Sequence, residues 1–335
     1  MEKQNKKTKT QLNCLSFNRN KTCFTCGLSS GFKIFNTNPF QKRFKRKFED
    51  FGIIRLELLG SSNVMAFVRS TTPNKLTIWD DYQSQGIAEL SFETEITEMK
   101  IFMDKIIVCC SDHVIVYRLT DLESVDRINT FPNQKGLISV TENDQEQLKV
   151  LAVSGPKRGE IVIKSFSQNS YTNVFKAFDQ QLGQIQLNSD GAMVAISSID
   201  GTLIKVFDCK TQNCLLQLRR GKKKANIYSM AFNEEDTLLA VTSNRGSIHF
   251  FNIPSDVREE TQKKKEKRGI CYGKYGMKKE RSIMKSKLTN THPNISTFIG
   301  DELIIIVLDG WYFKFLVNKK RGTVIQKEGK LFLKF

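Results

Sequence analysis

A chain of 335 residues with a 39% hydrophobic share, six prolines and 24 phenylalanines holds too much core-forming material to be disordered. A net charge of +17 argues against cationic partners and points to anionic ones, whether nucleic acid, an anionic membrane surface or an acidic protein. The apolar residues fall in short, scattered runs that suit many short strands. The length alone would suggest about two domains, although repeat architectures break that rule.

In chain order, residues 1–10 form a lysine-rich tail with no apolar core, so no secretory leader is expected. A unit then recurs: an apolar strand, a turn, a second apolar strand with small residues, a Gly-containing turn, and a third strand ending in an aromatic. It runs Leu12 to Phe35, Ile54 to Trp79, Ile96 to Tyr117, Leu137 to Phe166, Ile185 to Phe207, Ile227 to Phe251 and Ile295 to Phe315. The aromatic ends are mostly about forty residues apart, the period of a four-stranded propeller blade. The expected fold is all-β, a seven-bladed β-propeller of degenerate WD repeats filling residues 11–335 as one domain. Only Trp79-Asp80 keeps the literal WD dipeptide.

Between the first two units lies a basic cluster, Lys42 to Lys47, interleaved with Phe40, Phe44 and Phe48. Eight cysteines (14, 23, 26, 109, 110, 209, 214 and 271) fall in strand-like runs and are expected to be reduced thiols of a cytosolic protein. Cys23 and Cys26 have no second pair at ligand spacing, and residues three apart on a strand face opposite ways, so no metal is expected. Leu303 to Val317 is the most apolar run, but Asp309, Gly310 and Lys314 interrupt it and it is too short to span a bilayer.

Fourth strands are harder to find. Cys214 to Arg220 is one candidate, at the outer edge of the fifth unit, and it ends in Leu218-Arg219-Arg220-Gly221 followed by three lysines. Consecutive strand residues point to opposite faces, so Arg219 and Arg220 would serve two separate grooves. Each offers a fork of donors suited to phosphate, and Gly221 is expected to permit a sharp turn. After the sixth unit, residues 254–287 carry twelve Lys/Arg against five Asp/Glu, with Ile270, Tyr272, Tyr275 and Met277 set among glycines. This is expected to be one long loop inserted before the last unit, functional or disordered.

Catalysis is not expected. The chain has three histidines (113, 249 and 292), no phosphate-cradling Walker loop, no Gly-x-Ser-x-Gly and no carboxylate pair at a recognisable spacing. A nucleic-acid-binding propeller and a general protein scaffold remain as alternatives, although aromatics suited to base stacking are not interleaved with the basic runs except near Phe40 to Phe48.

The span from Leu187 to Ile253, with its Leu-Arg-Arg-Gly, resembles the WIPI/PROPPIN family of autophagy β-propellers, and "PNKLTIWDD" at 73–81 and "FPNQKGL" at 131–137 resemble its shorter-chained branch. The resemblance implies a seven-bladed propeller that binds phosphatidylinositol 3-phosphate and phosphatidylinositol 3,5-bisphosphate at two sites flanking the double arginine. Carried over residue by residue, the first site would use Ser198, Thr202, Lys205 and Arg219, and the second Arg220, Ser243, Ser247 and His249. Superposing "KVFD" on "HFFN" sets Lys205 opposite His249, with one extra residue in the fifth unit that a β-bulge would absorb.

Two departures stand out. Phe178 occupies a position where the family commonly has a histidine of the first site. The basic loop offers Lys263, Lys264 and Lys265 for anionic lipid, with Tyr272, Tyr275 and Met277 as the apolar wedges, where the family usually has an apolar or amphipathic stretch. At about 1 kcal/mol per juxtamembrane cation, the loop's excess of positive charge would supply several kcal/mol at low salt. The resemblance further implies a cytoplasmic monomer without cofactors, peripheral on phagophore, autophagosome or endosomal membranes, that scaffolds autophagy factors. It implies recruitment of an autophagy lipid-transfer protein, with residues 71–75 as a candidate surface, and no nucleic acid.

Overall fold

The computed structural model describes residues 10–254 and 278–333 and is all-β, a seven-bladed propeller with one sheet built on four antiparallel strands per sequence repeat. The first blade is β1 (Leu12–Phe17), β2 (Cys23–Leu28), β3 (Gly31–Asn36) and β4 (Gln41–Lys47). The second is β5 (Ile53–Leu58), β6 (Val64–Arg69), β7 (Thr72–Asp80) and β8 (Gln85–Ser91). The third is β9 (Glu98–Ile101), β10 (Lys105–Cys109), β11 (His113–Arg118) and β12 (Ser124–Asn129), and the fourth β13 (Ile138–Glu142), β14 (Leu148–Ser154), β15 (Glu160–Ser165) and β16 (Tyr171–Lys176). The fifth is β17 (Leu182–Leu187), β18 (Met193–Ser198), β19 (Leu203–Asp208) and β20 (Cys214–Arg219). The sixth is β21 (Ile227–Phe232), β22 (Leu238–Ser243) and β23 (Ser247–Asn252), completed by β25 (Met284–Lys287) after β24 (Lys278–Arg281). The seventh is β26 (Asn294–Ile299), β27 (Glu302–Val307), β28 (Trp311–Asn318) and β29 (Thr323–Leu331).

The second strands of blades five and six are the most buried of their sheets, because both their faces meet neighbouring sheets. β18 and β22 are buried at every residue, which is why they are continuous apolar or small-residue runs. Outer strands alternate. β4 has the pattern Gln-Lys-Arg-Phe-Lys-Arg-Lys with only Phe44 and Arg46 partly covered, so the basic cluster expected between the first two units is itself the first blade's outer strand. The loop expected over residues 254–287 is likewise shorter than predicted, because its last ten residues contain two strands. β25 closes the sixth blade, and β24 runs parallel along β20 as a fifth strand of the fifth blade.

The chain forms two compact units. One runs to Ile96 and includes Leu308–Tyr312 and the chain from Lys330; the other comprises Thr97–Val307 and Phe313–Gly329. In the first unit Phe32, Ile53, Leu56, Met65 and Phe67 form the core between the first two blades. On the opposite face of the first blade Phe24, Phe35 and Phe40 pack with Phe332, and Phe40 lies 4.7 Å from the Tyr312 ring. The Tyr312 hydroxyl donates to the Thr37 carbonyl at 3.0 Å. In the second unit the cores are again interblade: Ile196, Phe207 and Phe178 between blades four and five, and Leu216, Leu218, Val241 and Phe251 between blades five and six. Serine hydroxyls on inner strands lock neighbours, with Ser139 Oγ accepting from the Leu187 amide and Ser229 Oγ from the Ser296 amide.

Tyr312 is fully buried, so removing its hydroxyl strands the Thr37 carbonyl. Tyr312→Phe is expected to lower stability by about 1 kcal/mol, measured as a shift of the urea midpoint at unchanged slope.

Candidate functional site

The site is built on the last residues of β20. Leu203 pairs with Arg219, so Arg219 shares the face that Leu203 turns toward the fourth blade, while Leu216 and Leu218 pack against the sixth. Arg220 continues the ladder through its amide, which donates to the Thr202 carbonyl at 3.0 Å, and falls on the Leu218 side. The double arginine is therefore divided between two grooves. Arg219 is exposed, and its guanidinium makes no hydrogen bond or ion pair among the described residues. Arg220 is buried: its Nε donates to the Gly201 carbonyl at 2.5 Å and its Nη2 to the Lys223 carbonyl. Burial, and then the nearby Arg245 cation, lower its pKa from the ordinary guanidinium value. A guanidinium nevertheless stays protonated in proteins.

The following loop is strapped down. Arg245 donates through Nε and Nη2 to the Lys224 carbonyl at 3.1 and 2.9 Å, and the Lys224 ammonium pairs with Asp200 at 3.0 Å. The Lys222 and Lys223 ammonium groups have no partner among the described residues. The chain bends at Lys222 and Lys223, directly after Gly221, but without a positive φ at the glycine, and an added Cβ there would meet nothing within 4 Å. Gly201 is the strained one, with φ +59° and a Cβ position 2.0 Å from the Ala225 carbonyl.

In the groove toward the sixth blade, Arg220, Ser243, Ser247 and His249 come together. His249 pairs with Val241 across from β22 and packs on Phe251. Ser247 Oγ lies 3.1 Å from its Nε2, and Ser282 Oγ lies 3.4 Å from its Nδ1. Burial lowers the His249 pKa to about 4, helped by the Lys285 and Arg220 cations, so the imidazole is neutral at pH 7. Ser282 and Lys285 were not anticipated. The only signal was the Met-Lys-Ser-Lys alternation at 284–287, hidden within a basic stretch.

In the groove toward the fourth blade, Ser198, Lys205 and Arg219 share one sheet face, Ser198 being aligned with Ile196 and Lys205 pairing with Ile196 across the strands. Lys205 Nζ donates to the Ala177 carbonyl at 2.9 Å and sits 4.6 Å from the Phe178 ring centroid. Phe178 therefore supports the lysine by a cation–π contact. Asp179 follows, exposed and paired with Lys176 at 2.8 Å, its carboxyl held below the usual range mainly by that lysine.

The extra residue of the fifth blade is not absorbed by a bulge in its second-to-third-strand ladder. β18 and β19 pair without a register shift, and Lys205 and His249 are each the third residue of their strands. The added residue is Thr202, in the turn after Gly201, where lengthening disturbs no ladder bond. Leu203 therefore stands where Ser247 stands in the sixth blade, and Thr202 contributes a backbone carbonyl to Arg220.

Lys263, Lys264, Lys265, Tyr272, Tyr275 and Met277 lie outside the described residues. Residues 71–75 enter β7. There the Pro73 carbonyl accepts from the Ile96 amide, Asn74 bonds the Phe92 carbonyl, and Lys75 pairs with Glu89 at 3.0 Å.

Comparison with known proteins gives a consistent result. The PROPPIN family profile matches residues 11–281. Autophagy-related protein 18e of Arabidopsis thaliana is 29% identical over 97% of this chain and 89% of its own length; autophagy-related protein 18 of Komagataella pastoris is 26% identical over 88% of this chain and 62% of its own. Among solved structures, Kluyveromyces lactis Hsv2 superposes with a TM-score of 0.80 at 21% identity, covering 96% of this chain and 99% of that one. A complex of KlAtg21 with the coiled coil of AgAtg16 matches at 0.76 and 22% identity, covering 96% and 99%.

Two outcomes follow from this geometry. Gly221→Ala is expected to leave stability within about 0.5 kcal/mol, whereas Gly201→Ala is expected to cost about 1–3 kcal/mol, read from urea midpoints. Between pH 6.5 and about 4 the unfolded chain binds a proton at His249 that the folded chain rejects. The stabilising contribution of neutral His249 is thus full above pH 6.5 and lost as pH falls toward 4, and His249→Gln is expected to flatten that part of the stability–pH curve.

Proposed function

Since this chain belongs to the PROPPIN family, the phosphoinositide-binding propellers of autophagy, we propose that it docks on autophagic or endosomal membranes by holding inositol phosphates in the two grooves beside β20. The observation that carries this reading is the division of the double arginine, with neither guanidinium paired to a carboxylate among the described residues. A cation that faces a groove without an internal counter-charge is available to an external anion.

The head groups are phosphatidylinositol 3-phosphate and its 3,5-bisphosphate, with Ser198, Thr202, Lys205 and Arg219 toward the fourth blade and Arg220, Ser243, Ser247 and His249 toward the sixth. The second groove is the stronger. It has Lys285 and Arg245 nearby and hydroxyls at both imidazole nitrogens, whereas the first has Phe178 and the Asp179 carboxylate close to Lys205. Two weak head-group sites on one protein act together through effective concentration. The basic segment with Lys263–Lys265 and Tyr272, Tyr275 and Met277 adds contact with anionic lipid. The protein works as a cytoplasmic, monomeric scaffold for autophagy factors, among them a lipid-transfer protein engaging the region around residues 71–75.

Flotation compares vesicles containing phosphatidylinositol 3-phosphate with phosphatidylserine vesicles of matched charge. Wild type is expected to prefer the former, and Arg219→Ala/Arg220→Ala to lose that preference. Binding that tracks charge alone and ignores the double substitution overturns the proposal.

A further inference from the structure

The first blade holds a cationic cluster that neither groove beside β20 uses. Lys33 on β3 pairs with Lys45 on β4, and Gly31 with Lys47. The register shifts between Ile34 and Phe35, so that Phe35 pairs with Lys42 and Arg43 is the extra residue. The shift changes the parity of β4 and brings Lys42 onto the same face as Lys45 and Lys47. Phe44 and Arg46 point the other way, into the core with the second blade, where Arg46 pairs with Asp81 at 2.6 Å. Lys33, Lys42, Lys45 and Lys47 thus share one face, and none of their ammonium groups has a hydrogen-bonding or ionic partner among the described residues.

That face is electrostatically frustrated. Burial makes protonation of Lys33 less favourable, and the Lys42, Lys45 and Lys47 ammonium groups lower its pKa further. The Cys26 thiol behind it is fully buried and pushed up, so it carries no compensating negative charge at neutral pH. A cluster arranged this way gains most from an external anion of high charge.

The register supplies a second, independent observation. Lys33 is the third residue of β3 and pairs with Cys26, the fourth residue of β2; His249 and Val241 hold the same two places in the sixth blade, and Lys205 and Ile196 in the fifth. Outward from it, Lys45 and Lys47 occupy the places of Lys285 and Lys287. What differs is the selective part. Leu28 replaces Ser243 and Gly31 replaces Ser247, and Phe332, whose amide donates to the Gly310 carbonyl, stands where Arg220 stands. The face keeps the charges and lacks both the hydroxyls and the fork.

We propose that Lys33, Lys42, Lys45 and Lys47 form a further anion site that takes a phosphate monoester or polyphosphate group. Cross-strand neighbours lie about 5 Å apart and residues two along a strand about 7 Å, so several ammonium groups can reach one compact anion. A phosphate monoester brings nearly two charges and three acceptor oxygens, where a carboxylate brings one charge. Without hydroxyl donors the site discriminates by charge density and not by inositol stereochemistry. The group could belong to a lipid head or to a soluble phosphate.

The test uses the full chain in an Arg219→Ala/Arg220→Ala background, with and without Lys33→Gln/Lys45→Gln/Lys47→Gln, so that it stands whether or not the double arginine binds lipid. Calorimetry with inorganic tripolyphosphate and flotation with vesicles containing phosphatidylinositol 3-phosphate are run side by side. The lysine substitutions are expected to weaken binding by about tenfold or more. A loss seen with tripolyphosphate alone assigns a soluble ligand, and a loss seen with vesicles assigns a lipid head group. Unchanged affinity for both probes overturns the proposal. Folding provides an internal control: Lys33→Gln is expected to raise the thermal midpoint, because it removes a cation that its neighbours repel. An unchanged or lowered midpoint would contradict the unpaired cluster.

Discussion

A guanidinium buried between two blades must find acceptors, and Arg220 finds them in two backbone carbonyls. One belongs to Gly201, held at positive φ in the turn before β19, and the other to Lys223 in the connection toward β21. This single side chain therefore ties together a turn, the end of an outer strand and the start of the next blade. The same positive charge bears on His249 and helps keep the imidazole neutral. Fixing the fold and charging the groove are here two consequences of one contact.

The outer strands β4 and β25 concentrate cations, and apolar burial lies farther in. Between blades five and six, Leu216, Leu218, Val241 and Phe251 are fully buried, and the cations lie beyond them. Lysines on an edge strand also discourage pairing with another chain, so part of this distribution serves solubility. β20 is the exception among the described outer strands, since β24 covers its edge. Through Ser282, the segment that follows β24 also places a hydroxyl at His249. The return of the long basic insertion is thus part of the second groove's wall.

The inner strands were legible in the sequence because burial on both faces demands continuous apolar or small residues, as in Met193–Ser198 and Leu238–Ser243. The outer strands were not, because half their residues face water. Gln41–Lys47 looks like a charge run, and Met284–Lys287 is lost among lysines, although both are ordinary ladder strands. Thr202 illustrates a different limit. The count of residues between Gly201 and Lys205 revealed an insertion, but only pairing between β18 and β19 located it in the turn instead of the ladder. Gly221 shows the converse, a glycine whose conformational freedom the backbone does not use.

The sequence by itself determined that neighbouring arginines on a strand must part to opposite faces, since alternation is a property of the backbone and needs no partner. It also determined the number of repeats, through the recurrence of strands ending in an aromatic. Only the tertiary structure decided that Arg220 is sunk onto carbonyls while Arg219 is exposed, and that Ser282 and Lys285 stand beside His249. It alone gathered four lysines onto one face of the first blade. These arrangements depend on which strands pair and in what register, and a hydrogen-bonded ladder carries that information between residues distant in the chain, where no local pattern records it.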